Sequence, residues 1–241
     1  MTPRLDQLWV YLSATPLVGL TATLLAYLAA HKLYERVALN PLANPVLIAV
    51  LLLVLLLWGT GTPYATYFEG AQFVHFLLGP ATVALAVPLY EQRAQLARLA
   101  LPLAAGLAAG VLTAVASAVG IAWLLGASRE TMLSLAPKSV TTPIAMGIAE
   151  KIGGLPSLTA VLVILTGMTG AIVARPLLNL LRVHTPATRG FALGVASHGI
   201  GTARAFQVSE EMGAFAGLAM GLTALLTALL VPALLKLAGA M

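Results

Sequence analysis

The 241-residue chain has no cysteine, which excludes disulfides and thiolate-held metals and leaves the redox compartment unmarked. Charge is scarce as well: 9 % of residues are Asp, Glu, Lys or Arg, against about a quarter in a soluble domain. So few charges do not cover a water-facing surface of this size. With 60 % of residues apolar, lipid is the solvent for most of the exterior. Enzyme signatures are missing too. There is no Walker-type loop, zinc helix motif or nucleophile elbow. Ser197 and His198 are chain neighbours, which does not make a triad, and no carboxylate pair sits in an apolar segment for acid–base work. Neither enzymatic activity, nor a cofactor, nor a metal site is expected. Acidic residues number 8 against 13 Lys and Arg, a net charge of +5. No basic stripe interleaved with aromatics tracks a phosphate backbone, so nucleic acid is not an expected partner. The basic residues sit mainly in short loops between apolar runs, as cytoplasmic loops do.

What the chain has is long apolar runs. A helix needs about 20 apolar residues to cross the hydrocarbon core. Runs of that order lie at 7–30, 42–58, 70–90, 99–126, 152–174 (extendable to Leu181) and 212–235. Arg4 is followed at once by Asp6, and the first run is longer than a signal h-region, so it reads as a span. The length suits one domain covering 1–241. Trp9, Trp58 and Trp123 lie towards helix ends and read as interface anchors. Gly106, Gly110, Ala114 and Ala118, four apart, suit close helix packing; chance spacing in an Ala-rich helix explains them equally.

Two further segments are apolar enough to enter the membrane but are not plain helices. Residues 131–150 contain Pro137, Lys138, Pro143 and a run of hydroxyls. Residues 190–210 contain His198, Arg204 and glycines. Such backbone survives at membrane depth where it is buried in protein or lines a wet cavity. The basic positions His31, Lys32, Arg36, Arg93, Arg98, Arg182, His184, Arg189 and Lys236 are expected in the cytoplasm. That requires an even number of crossings between 93–98 and 182–189, met if 131–150 enters and leaves on one side. The N-terminus is then extracytoplasmic and the C-terminus cytoplasmic; eight full crossings with one basic loop outside is the alternative. The fold class expected is an all-α integral membrane protein of seven or eight transmembrane helices with discontinuous or re-entrant segments. An inverted repeat is suggested by 70–90 and 190–210, each with a Gly- or Pro-interrupted centre. A competing match pairs Pro80-x-Thr82-Val83 with Pro137-x-Ser139-Val140.

These segments hold the candidate site. Lys138 lies among Ser139, Thr141 and Thr142, bracketed by prolines. A helix break there brings freed N–H groups, a positive helix end and an ammonium to one place, which suits a small anion. The alternative is a lysine snorkelling to the interface. Arg204 offers a planar fork that, together with Lys138, holds a carboxylate whose remaining oxygens Ser139, Thr141, Thr142 and Thr202 bond, or it pairs structurally with Glu210 or Glu211. His198 either moves a coupling proton or is a neutral hydrogen-bonded core group. Gly199 and Gly201 permit a helix break. Ser197 and Thr202 flank these groups, and Thr82 beside Pro80 suits the lining of the same cavity.

Four motifs, in order, resemble the LrgB/CidB family: Leu78-Gly79-Pro80-Ala81-Thr82-Val83-Ala84, Pro137-Lys138-Ser139-Val140-Thr141-Thr142-Pro143-Ile144-Ala145, Gly153-Gly154-Leu155-Pro156-Ser157-Leu158-Thr159-Ala160, and Ala196-Ser197-His198-Gly199-Ile200-Gly201-Thr202-Ala203-Arg204-Ala205. The resemblance covers about residues 45–235. It implies two functions. One is transport of small monocarboxylates, as in plastid relatives that exchange glycolate and glycerate and bacterial relatives linked to pyruvate uptake. The other is an antiholin-like regulator of murein hydrolase export and cell lysis without a substrate of its own. It also implies an LrgA/CidA-like membrane partner, which in the plastid relatives is fused to the chain and here is not part of it. Lys138, Ser139, Thr141, Thr142, His198, Gly201, Thr202 and Arg204 match the family's signature. The reading favoured is a multi-pass carrier in the bacterial cytoplasmic membrane. Its substrate is glycolate, glycerate, lactate or pyruvate, it is coupled to protons through His198, and it assembles as a homodimer.

Overall fold

The computed structural model describes residues 16–37, 43–77, 80, 83, 84, 86–91 and 93–237. The described residues form helices joined by short connections, with no strand among them. They fall into two units, divided after Ala84.

In the first unit α1 (Pro16–Arg36) packs on α2 (Pro45–Thr60) and α3 (Tyr64–Phe76). Asn44 starts α2 by accepting from the Val46 and Leu47 N–H groups, and Pro45 fills the first turn, where a missing donor costs nothing. Gly61, at φ 64°, ends it. A Cβ at Gly19 would collide with the Tyr67 carbonyl, and Thr23 Oγ1 shares a 2.7 Å hydrogen bond with the Tyr67 hydroxyl. The expected helix 70–90 is not continuous: α3 starts earlier and ends at Phe76. Its centre, including Gly79 and Thr82, lies outside the described residues. His31, Lys32 and Arg36, read as a loop, sit on the last turns of α1.

The second unit contains α4 (Ala86–Glu91), α5 (Arg93–Arg98), α6 (Ala100–Leu124), α7 (Arg129–Leu135), α8 (Thr142–Ile152), α9 (Pro156–Leu180), α10 (Pro186–Phe206) and α11 (Glu210–Leu237). Among the described residues four helices are long and apolar enough to span a membrane: Leu17–Arg36, Ala100–Leu124, Pro156–Leu180 and Glu210–Lys236. The 16-residue α2 is shorter. That is fewer than the seven or eight expected, partly because both irregular segments turn back on themselves.

The first reversal runs from α7 through α8. After Leu135 the chain makes tight turns, with the Lys138 N–H on the Leu135 carbonyl and the Val140 N–H on the Pro137 carbonyl. Thr141, in an extended conformation, then opens α8. Leu133, Ala136 and Val140 pack against Ala145, Ile148 and Ile152 in one cluster. Ser134 meets the end of α8: its hydroxyl donates to the Glu130 carbonyl and accepts from the Leu155 N–H at 2.8 Å. The segment thus turns back on itself, with Ser134 against Leu155 and Thr159 at the start of α9.

The second reversal lies inside α10. His198 has φ 41° and ψ −131°, a non-helical conformation in the middle of the segment. Gly201 comes so close to Leu193 that a Cβ there would sit 2.7 Å from its carbonyl oxygen. In a straight helix residues eight apart are about 12 Å apart, so the chain has doubled back. α11 confirms the direction. Gly190 and Gly194 of the outgoing arm abut the Met212 and Ala216 carbonyls, parallel to α11, while Phe206 of the return arm lies against Gly213. The outgoing arm also packs on α6, where Gly106 and Gly110 face Phe191 and Val195, so the two glycines of the small-residue stripe form a packing seam.

This corrects the orientation expected of the C-terminus. With α10 returning to its own side, α11 starts beside the 182–189 loop and ends at the opposite face. There Val231, Leu234 and Leu235 line a cavity with Trp123 and Met132. Lys236 therefore does not share a face with Arg182, His184 and Arg189. One lysine weighs little against the packing of a whole helix.

Candidate functional site

The two reversals enter from opposite ends of α9 and meet beside its middle. His198 Nε2 lies 2.9 Å from the Val163 carbonyl, and its ring covers Gly167, where a Cβ would fall 2.8 Å from Cε1. Ser197 presses on Gly170. Val163 also belongs to the cluster formed by the first reversal. The Lys138 ammonium is near enough to His198 to act on it electrostatically. The two segments singled out in the sequence, some 60 residues apart, thus have their tips at one level of α9.

Local sequence explains each tip. Pro137 and Pro143 remove donors on either side of the first turn, which ends one helix and starts the next. Thr141 makes no side-chain cap to α8, so the first-turn N–H groups of an 11-residue helix face outward beside Lys138. Lys138 is half-buried and donates to Ser139 Oγ at 3.5 Å; Ser139 is buried. Thr141 and Thr142 are half-buried. At the second tip the break falls on His198 and not on Gly199 or Gly201. Gly201 instead gives the return arm room to pass Leu193 and Ser197. Thr202 donates to the His198 carbonyl at 2.9 Å and lies 3.8 Å from Met220 Sδ of α11. The hydroxyl thus bonds back one turn, to the carbonyl of the residue at the break.

Ser197 Oγ at the second tip and Thr223 Oγ1 on α11 are buried, with no hydrogen-bond partner among the described residues; an unsatisfied buried hydroxyl costs roughly 1–3 kcal/mol. Thr82 lies outside the described residues. Arg204 does not join the tips: it sits on the return arm, donates to Gln207 Oε1 at 2.9 Å and lines a separate cavity with Arg175 and Arg189. Its expected co-ligation with Lys138 is not a contact in this arrangement. The sequence reading missed Val163, which carries no signal, and Gly167 and Gly170, whose only signal is two small residues three apart on an apolar helix.

Long apolar helices and two broken segments with polar tips define the class: a polytopic helical membrane protein. The chain belongs to the LrgB-like family, whose model matches residues 23–237. It is 38 % identical over 220 residues to Bacillus subtilis YwbG, an uncharacterised protein, covering 91 % of this chain and 97 % of that one. It is 30 % identical over 227 residues to the holin-like protein CidB of Staphylococcus epidermidis, and 31 % to that of Staphylococcus aureus. Each covers 94 % of this chain and 98 % of the relative. No solved structure matches.

Proposed function

We propose that the protein is a carrier of small monocarboxylates of the glycolate, glycerate, lactate or pyruvate class, in the bacterial cytoplasmic membrane. The observation that supports this most is the meeting of two oppositely entering broken segments beside Val163, with Lys138 near His198. Irregular polar backbone inside a bundle costs stability and is a feature of transport sites. Two helix N-termini, at Thr142 and at Gly199, start from these tips and favour negative charge. In this reading Lys138 neutralises the carboxylate, while Ser139, Thr141, Thr142 and Ser197 bond its remaining oxygens. His198 is the group through which a proton couples. Arg204 acts from the neighbouring cavity, on anions approaching or leaving. The repeat in this reading is not the expected pairing of 70–90 with 190–210 but one of 129–180 with 186–237, supported by the equal spacing of Arg129 from Pro186, Thr141 from His198, and Leu180 from Leu237.

A second reading has its own support. The relatives named holin-like protein CidB, at 30 and 31 % identity, favour an antiholin-like role in murein hydrolase export and lysis better than they favour transport. An LrgA/CidA-like partner and homodimer formation belong to either reading. The experiment is uptake of labelled glycolate and pyruvate by proteoliposomes of this chain, with and without a pH gradient, alone and with an LrgA-like protein. Saturable uptake that falls at least tenfold in Lys138→Ala and in Arg204→Ala establishes the carrier. No uptake by folded protein under any of these conditions, with a lysis phenotype that survives both substitutions, establishes the second reading.

A further inference from the structure

The cavity that holds Arg204 is distinct from the tips. It has a volume of about 530 Å³ and lies where α9 ends and α10 begins. Its cationic walls come from three helices' worth of chain. Arg175 projects from the end of α9, His184 from the connecting loop, Arg189 from the outgoing arm of α10 and Arg204 from the return arm. Asn179 adds an amide, and among the described residues no Asp or Glu lines it. The first turn of α10 opens beside it: Pro186 is on its wall, and Thr185 makes no side-chain cap to the N–H groups of that turn.

We propose that this cavity binds a phosphate-bearing anion of charge two or more. Three guanidinium groups stay charged at any working pH. A single small carboxylate meets one guanidinium fork and leaves most of the volume empty. A phosphate presents three acceptor oxygens, which forks arriving from different sides engage together, and an uncapped helix N-terminus adds further donors. Because Arg189 and Arg204 stand on the two arms of one hairpin, a bound phosphate clamps the arms together. The anion is either the headgroup of an acidic phospholipid or a free phosphate compound. The inference does not depend on what the hairpin tips carry.

The test uses the full chain, delipidated in neutral detergent. Pyrophosphate binding is measured by calorimetry, with glycolate at equal concentration as the monocarboxylate comparison. Retention of phosphatidylglycerol against phosphatidylcholine is measured by native mass spectrometry. Both are repeated on Arg175→Gln/Arg189→Gln, on Arg175→Gln alone, which changes an exposed side chain, and on Lys236→Gln at the other face. Pyrophosphate binding weakened tenfold or more by the cavity variants but not by Lys236→Gln supports a free phosphate ligand. Selective phosphatidylglycerol retention lost in the same variants, without pyrophosphate binding, supports a lipid headgroup. Glycolate binding as tightly as pyrophosphate and lost equally in the cavity variants, no binding of either phosphate probe, or equal loss in Lys236→Gln overturns the proposal.

Discussion

Replacing Gly167 by alanine tests whether the second tip rests on α9. A Cβ at this position falls 2.8 and 2.9 Å from His198 Cε1 and Nε2 and 2.9 Å from Ile200 Cδ1. Real Cβ atoms do not sit that close, so the imidazole must move. Overpacking of this kind costs about 1–3 kcal/mol. Moving the ring also endangers its bond to the Val163 carbonyl, and a buried group left unsatisfied costs roughly 1–3 kcal/mol more. Against this, alanine in a helix interior gains about 1 kcal/mol over glycine. The net expectation is a loss of about 1–5 kcal/mol. Gly120→Ala on α6 is the matched control. Nothing lies within 4 Å of its Cβ, so only the helix gain remains and the variant is neutral or up to ~1 kcal/mol more stable. Unfolding in a defined micelle, followed by tryptophan fluorescence, gives both numbers. A Gly167→Ala protein as stable as Gly120→Ala would refute the packing of His198 against α9.

At His198 itself, glycine should exceed alanine in stability by about 1 kcal/mol or more, because both lose the ring but only glycine adopts φ 41° without strain; equal stabilities in the same unfolding assay contradict the break. Ser134→Ala should cost about 1–3 kcal/mol, since it strands the Leu155 N–H that the hydroxyl accepts from. Faster amide exchange at Leu155 and Pro156-flanking residues is the accompanying signature, and unchanged exchange argues against that contact. Gly194→Ala drives a methyl into the Ala216 carbonyl, a backbone atom that has little room to give. It should lower stability more than Gly106→Ala, whose nearest neighbour is Phe191 Cε1 at 3.6 Å; the reverse order in thermal unfolding removes the parallel pairing of α10 with α11.

The long helices were legible in the sequence because an uninterrupted apolar run has few alternatives in lipid. Three of them, α6, α9 and α11, end within a few residues of the expected bounds. The first reversal was legible too, since Pro137 and Pro143 punctuate it. The second was not. Between Pro186 and Phe206 there is no proline, and a kinked, returning pair of arms has the same composition as a crossing helix. Its direction is set by Gly190 and Gly194 against α11, a tertiary choice with no local mark. The site followed the same division. Lys138 and His198 stood out as costly groups in apolar surroundings, whereas the carbonyl of Val163 has no sequence signature at all. Arg204 was expected to share a carboxylate with Lys138 on the strength of its fork, but the return of the second arm carries it away from the tips.

The contacts around the second hairpin differ in kind. Towards α9 it is pinned by a polar tie at His198. Towards α6 it presents Phe191 and Val195 to the bare backbone at Gly106 and Gly110, a smooth apolar track. Parting the hairpin from α9 therefore breaks a buried hydrogen bond, whereas parting it from α6 gives up dispersion contacts alone.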